Sequence, residues 1–402
     1  MRPGAEVPEP GDDSIPLNAP RSIQFAKPWI TESEREAVLR VLGGDILTHG
    51  PENRAFEAEF SRFVGGDARC VAVSSCMAAL HLAYWQMGIG PGDEVLVTAQ
   101  THVATANAVE IVGARPVFLD CEPRTGNIDP SLLERAVTPR TRAIGLVHFL
   151  GIPCDMDPIL GVARRHGLRV VEDCALAVGA RYRGTHVGLL GDAGCFSFYP
   201  AKHMTTGDGG MFVTRNADLA DRVGRARAFG VDKSFGERSI PGLYDVPTLG
   251  LNFRMSDINA AVGRMQLARI GEILRRRREN FTSLRDGLAG VPHLSILDAS
   301  DPASLNSHYC LGVVLDGPLA GKRNQAVGML NRSGVGTSVY YPQPVPRMTY
   351  YRQKYGYDER AFPQAARISD QSVALPVGPH LGPDDMEYMA EAVKATVKEV
   401  SQ

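Results

Sequence analysis

The chain lacks the features that would place it in a membrane, on a nucleic acid or in a disulfide-bonded scaffold. No apolar run approaches the roughly 20 residues of a membrane helix, so no membrane partner is expected. Charge of one sign is also missing. Lys+Arg total 43 against 45 Asp+Glu, a net charge of −2, which gives no extended surface for nucleic acid. The seven cysteines are odd in number and include no Cys-x-x-Cys pair, and Cys70, Cys174 and Cys195 sit inside apolar runs. That pattern excludes a disulfide framework and a zinc site, so no metal is expected, and it fits reduced thiols in a cytoplasm. The first residues are rich in Pro, Gly and acidic side chains without an apolar core segment. They are not a signal peptide, and a disordered leader over 1–22 is expected. No internal repeat is visible. A small molecule is the partner that remains.

What is present is alternation. With 402 residues the chain can bury one large core and a smaller second one. Thr31 and Ser33 can cap a helix that Gly43-Gly44 ends. A strand over Val71–Val73 runs into Ser74-Ser75, which open a helix over Cys76–Met87. Unpaired amides and the helix dipole make such a start a phosphate site, although many such junctions serve only as caps. There follow strand Glu94–Thr98, helix Ala104–Val112, strand Pro116–Asp120, a helix after Asp129-Pro130, strand Ala143–Phe149, helix Met156–His166 and strand Leu168–Asp173. Repeated strand-then-helix units mean parallel strands with crossovers, hence an α/β layered domain whose ligands gather at the carboxyl ends of the strands. Asp173 sits at one of those ends.

Further on, residues 231–248 form a long polar loop. One helix is predicted from Asp257 through Arg275–Arg278, with the four arginines on a solvated face. Strand His308–Leu315, helix Arg323–Ser333 and strand Thr337–Tyr341 then predict a smaller α/β domain, giving a division into 23–270 and 271–402. The segment Gly317 to Arg323 is one residue short of a P-loop and lacks its Ser/Thr, so nucleotide hydrolysis is rejected.

The stretch with the most chemistry is Cys195-Phe-Ser-Phe-Tyr-Pro-Ala-Lys-His-Met-Thr-Thr-Gly-Asp-Gly-Gly210. An apolar strand leads to a single lysine, Lys202, and a glycine-rich tail that lets backbone pass close to a flat ligand. A partly desolvated pocket at a strand end can keep such an amine neutral, as a Schiff-base lysine requires. Ser197 can place a hydroxyl near a phosphate. The residues alone also fit a surface lysine in a turn.

This string resembles the lysine signature of the DegT/DnrJ/EryC1/StrS family, and further blocks match in order from about Ile23 onward: Ser74 to Leu80, Leu249-Gly-Leu-Asn-Phe-Arg-Met, Tyr341 to Arg347 and Ala374 to His380. The resemblance implies an aspartate-aminotransferase-like fold (PLP fold type I), with a mainly parallel sheet in the large domain, and pyridoxal 5'-phosphate (PLP) as cofactor. It implies Lys202 as the catalytic Schiff-base lysine and Asp173, 29 residues earlier, as the partner of the pyridine nitrogen. Ser75, Ser197 and the amides of Cys76 and Met77 would receive the phosphate. His102 stands where relatives carry an aromatic residue stacked on the ring. Asn252 would reach the phosphate of a neighbouring subunit, which implies a homodimer. The reaction implied is transfer of an amino group from L-glutamate to a keto-sugar linked to a nucleotide, with a 4-keto-6-deoxy sugar favoured.

Besides His102, three positions depart from the family pattern. Met77 replaces a hydroxyl residue, Leu176 replaces Gln, Glu or His, and Arg347 replaces His. Arg347 could pair with a substrate anion or be a plain surface residue. The departures leave two alternatives, a PLP-dependent dehydratase or other non-transaminating enzyme on a sugar-like substrate, and a non-catalytic regulator. Retention of Lys202 argues against the first and the Asp173 and Lys202 pair against the second.

Overall fold

The computed structural model describes residues 21–232, 240, 242–298, 303–358 and 360–402. Most of the expected leader over 1–22 and part of the expected loop over 231–248 therefore lie outside the described residues. The helices are α1 (Glu32–Leu42), α2 (Pro51–Val64), α3 (Cys76–Gln86), α4 (Val103–Ile111), α5 (Leu133–Ala136), α6 (Met156–His166), α7 (Ala217–Ala226), α8 (Asp257–Ala268), α9 (Ile270–Gly287), α10 (Arg323–Arg332), α11 (Thr349–Tyr355), α12 (Pro363–Gln371) and α13 (Pro383–Ser401). The strands are β1 (Arg69–Val73), β2 (Glu94–Thr98), β3 (Arg115–Leu119), β4 (Thr141–Val147), β5 (Arg169–Asp173), β6 (Arg181–Tyr182), β7 (Thr185–His186), β8 (Ala193–Ser197), β9 (Gly210–Thr214), β10 (Leu294–Ile296), β11 (Ser304–Leu305), β12 (Leu311–Leu315) and β13 (Ser372–Leu375).

Seven strands form the central sheet in the order β1-β9-β8-β5-β4-β2-β3. All run parallel except β9, which pairs antiparallel with both β8 and β1. Strands β2, β8 and β9 are buried along their whole length, as expected of a sheet covered by helices on both faces. One apolar cluster joins α3 and α7 to one face; a second joins Phe56, Phe60, Phe196 and Phe198 on the other. A third lies among α9, α10, α13 and the antiparallel sheet β10-β12-β13.

Local chemistry explains where several elements begin. Thr31 and Glu34 form the capping box of α1, and the side chains of Ser75, Asn216 and Ser256 cap α3, α7 and α8. Two expectations are corrected. The helix from Asp257 is two helices, because the chain leaves helical geometry at Arg269, whose guanidinium is drawn onto the Trp29 carbonyl at 2.8 Å and onto Glu34. The segment Thr337–Tyr341 is not a strand. Ser338 makes one isolated bridge to Ala374, and the Tyr340 carbonyl is taken by the Gln100 amide at 3.0 Å rather than by a neighbouring strand.

Candidate active site

Two strand ends meet at one glycine. Gly210 pairs with Val73 at the end of β1 and with Ser197 at the end of β8. A side chain at Gly210 would place its Cβ 2.5 Å from the Ser75 carbonyl carbon and 2.6 Å from the Cys76 amide nitrogen. Only glycine lets the start of α3 settle here, and it brings Ser75 and Ser197 to the same spot. The Ser75 hydroxyl accepts from the Ala78 amide at 3.1 Å. The preceding amides of the helix, those of Cys76 and Met77, have no acceptor within the helix. Ser197 is buried. The glycine cradle, the open amides and the hydroxyl make a donor set suited to an anion such as a phosphate.

Along the sheet edge from this cradle lies Asp173, the last residue of β5, in register with Cys195 of β8. It is buried, and its oxygens are held on two sides. Oδ2 accepts from the Thr105 hydroxyl at 2.7 Å, and Oδ1 accepts from the Ala175 amide at 3.0 Å. The Cys76 thiol lies 3.8 Å from Oδ1 and 3.3 Å from the Cys195 carbonyl. Burial pushes the Cys76 thiol well above its ordinary range and the Cys310 thiol up to about 12, so both are neutral near pH 7.

Lys202 follows the β8 end in a turn closed by its amide on the Tyr199 carbonyl at 2.9 Å. Its Nζ makes no hydrogen bond among the described residues and rests 5.4 Å from the centre of the Tyr309 ring. Burial lowers the pKa of this ammonium, and the nearby Cys76, Asp173 and Cys310 act in the opposite direction. An unengaged, depressed amine beside a fixed carboxylate fits a group that forms a covalent bond to the amine and presents a basic ring nitrogen to the acid. PLP is such a group, and the anion cradle suits its phosphate.

His102 caps α4 through Nδ1, which accepts from the Ala104 amide at 3.1 Å, and its ring packs edge-on to Tyr341 with centroids 5.3 Å apart. Burial lowers its pKa, with Asp173 acting in opposition, so it is neutral near pH 7. Leu176 is buried in a cluster with Phe149 and Tyr341, and its apolar side chain has no hydrogen-bonding group. Met77 is half-buried beside the cradle. The structure separates two residues from this group. Asn252 is exposed, and its Oδ1 accepts from Arg254 Nε of the same chain at 2.9 Å. Arg347 is paired with Asp370 at 2.6 Å.

The C-terminal part supplies residues that no local sequence motif marks. Tyr309, Tyr340 and Tyr341 form a ring-contact chain, with the Tyr309 and Tyr340 hydroxyls 2.7 Å apart. Arg277, read as one of four solvated arginines, is buried behind Lys202, whereas Arg275 and Arg276 pair on the surface with Glu279 and Glu272. Helical spacing holds the missed signal, since Arg277 shares a face with the buried Ile273, Phe281 and Leu284. A buried cluster of His148, Glu172 and Cys174 also has metal-ligand chemistry. The Glu172 carboxylate is already used by His148 and by the amides of Gly188, Leu190 and Gly191, so the cluster is a structural network.

Fold and site together define a fold type I, PLP-dependent transaminase of the sugar aminotransferase class. The chain belongs to the DegT/DnrJ/EryC1/StrS aminotransferase family, which matches residues 28–394. It is 39% identical over 380 residues to the spore coat polysaccharide biosynthesis protein SpsC of Bacillus subtilis, covering 94% of this chain and 97% of that one. The structure of S. venezuelae DesV in complex with a ketimine intermediate is 36% identical with a TM-score of 0.85, over 91% of this chain and 95% of that one. DesI, solved in the presence of its TDP-sugar product, is 32% identical with a TM-score of 0.83, over 95% of this chain and 94% of that one. Among the described residues no helix is long and apolar enough to cross a membrane.

Proposed function

We propose that the protein moves the amino group of L-glutamate to the ketone of a nucleotide-linked keto-sugar, with the 4-keto-6-deoxy type favoured, using PLP bonded to Lys202. The observation behind this reading is the Lys202 amine, depressed by burial and without a hydrogen bond to any described residue, beside an Asp173 held by Thr105 and Ala175. PLP, when bound, supplies an electron sink for the carbanion formed at the donor carbon. Asp173 holds a proton on the ring nitrogen. Nζ of Lys202, freed when the donor amine takes its place, would carry the proton from the donor α-carbon to the cofactor C4′ carbon. Ser75, Ser197 and the Cys76 and Met77 amides would receive the phosphate, and His102 would stack on the ring. Leu176 leaves the ring without a polar contact from its position. The TDP-sugar product of DesI supports a nucleotide-linked substrate.

Asn252 is assigned to the neighbouring subunit's phosphate in a homodimer. Its exposure supports this, as does a surrounding surface with Phe229 at 47% and Leu249 at 74% exposure. Free thiols at all seven cysteines support a cytoplasmic setting. A division into domains near 270/271 fits the separate apolar cluster of the C-terminal part. The test is a panel of nucleotide keto-sugars incubated with enzyme, PLP and L-glutamate. Formation of 2-oxoglutarate and an amino sugar with a 4-keto-6-deoxy member is expected. Consumption of a sugar without any glutamate turnover contradicts the reading.

A further inference from the structure

Arg277 on α9 is a buried charge that no ion pair accounts for. It is 5% exposed, and among the described residues no carboxylate lies within ion-pair distance. Its forked donors go to two main-chain carbonyls from distant segments. Nη1 donates to Tyr309 at 2.8 Å and Nη2 to Lys202 at 3.4 Å, while Nε has no partner. Burial lowers its pKa only to about 10, so the guanidinium stays charged at neutral pH.

The segment leading into β12 is held from its other side as well. The Ser307 carbonyl is hydrogen-bonded to His203 Nε2 at 2.9 Å, the Ser307 hydroxyl donates to the Leu176 carbonyl at 3.0 Å, and the Ser307 amide donates to the Gly151 carbonyl at 3.1 Å. Between the two clamped carbonyls His308 has φ of 54°, a conformation disfavoured for a residue with a Cβ. The bend turns the Tyr309 ring toward the Lys202 amine and its hydroxyl toward Tyr340.

Apolar side chains would fill the space around Arg277 at lower desolvation cost. A planar fork with two fixed donors does what they cannot, which is to lock two carbonyls in register. We propose that Arg277 is a positioning residue for the lysine, fixing the main chain of Lys202 and of Tyr309 together so that the amine is held against the Tyr309 ring. This rests on the reading of Lys202 as the residue that bonds PLP.

The test compares the PLP-loaded wild type with Arg277→Met and Arg277→Lys. The measurements are deuterium uptake over residues 199–206, the pH midpoint of the visible absorption band, and kcat and KM for the donor. Arg277→Met is expected to exchange faster in that segment, to raise the band midpoint because a loosened lysine is better solvated, and to lose about tenfold in kcat with KM nearly unchanged. Arg277→Lys, with one compact donor group, is expected to recover part of each. A Met variant that melts at a lower temperature but keeps exchange, midpoint and kcat overturns the proposal and leaves Arg277 a packing residue. Should the Met variant not fold, wild-type values of all three in the Lys variant overturn it equally. If Lys202→Ala keeps the visible band, both the lysine reading and this inference fall; if only the Arg277 readouts stay unchanged, the lysine reading stands.

Discussion

Asp173 and Thr105 show how much of the chemistry rests on single side chains. Replacing the acid by its amide, Asp173→Asn, removes the charge that keeps a ring nitrogen protonated. A fall in kcat of about a hundredfold or more is expected, with PLP still bound, as read by steady-state kinetics and the visible spectrum. Thr105→Val deletes one of the hydrogen bonds to the carboxylate and should cost about 1–3 kcal/mol of stability by urea unfolding, with a smaller drop in kcat. Lys202, Asp173, Ser75 and Ser197 stand out as candidates because they lie at or just past the end of a short apolar strand, and only the family resemblance attaches roles to them. Tyr309, Tyr340 and Arg277 do not, because only tertiary packing brings them to Lys202. Arg277 is further hidden in a run of four arginines whose neighbours pair in solvent.

Strand and helix termini carry the next set of consequences. Gly210→Ala forces a Cβ into the Ser75 carbonyl, so the start of α3 must move. Weaker PLP retention on dialysis is expected, together with a lower melting temperature. The β6 and β7 hairpin gives a pH prediction. His186 is buried, with Nε2 accepting from the Gly179 amide at 3.0 Å and Nδ1 on the Val187 carbonyl, so the neutral ring is the one that fits. Burial lowers its pKa from 6.5 to about 4. The unfolded chain therefore takes up a proton first as pH falls below 6.5, and stability drops until about pH 4, by about 3 kcal/mol in all. His186→Gln should flatten that part of the urea-stability profile between pH 7 and pH 4 relative to wild type; an unchanged slope contradicts the assignment. At this scale the sequence shows most elements within a residue or two, helped by caps such as Thr31, Ser75 and Ser256. It fails at Arg269 and over Thr337–Tyr341, where side chains from Arg269 and Gln100 claim backbone groups or reorient the chain.

For the whole molecule, one antiparallel strand among parallel neighbours folds two strand ends onto Gly210, and the C-terminal part closes over the lysine with its tyrosines. The proposed dimer belongs to this scale. Asn252→Ala should leave an assembled dimer that loses PLP faster, by dialysis and size-exclusion chromatography; unchanged retention removes Asn252 from the neighbouring site. The deciding measurement is the visible spectrum of the PLP-loaded protein on addition of L-glutamate. The band is predicted to disappear as one equivalent of 2-oxoglutarate forms, to return when a nucleotide keto-sugar is added, and to be absent in Lys202→Ala. A band that glutamate leaves unchanged, or one that survives loss of Lys202, would contradict transamination through PLP on Lys202.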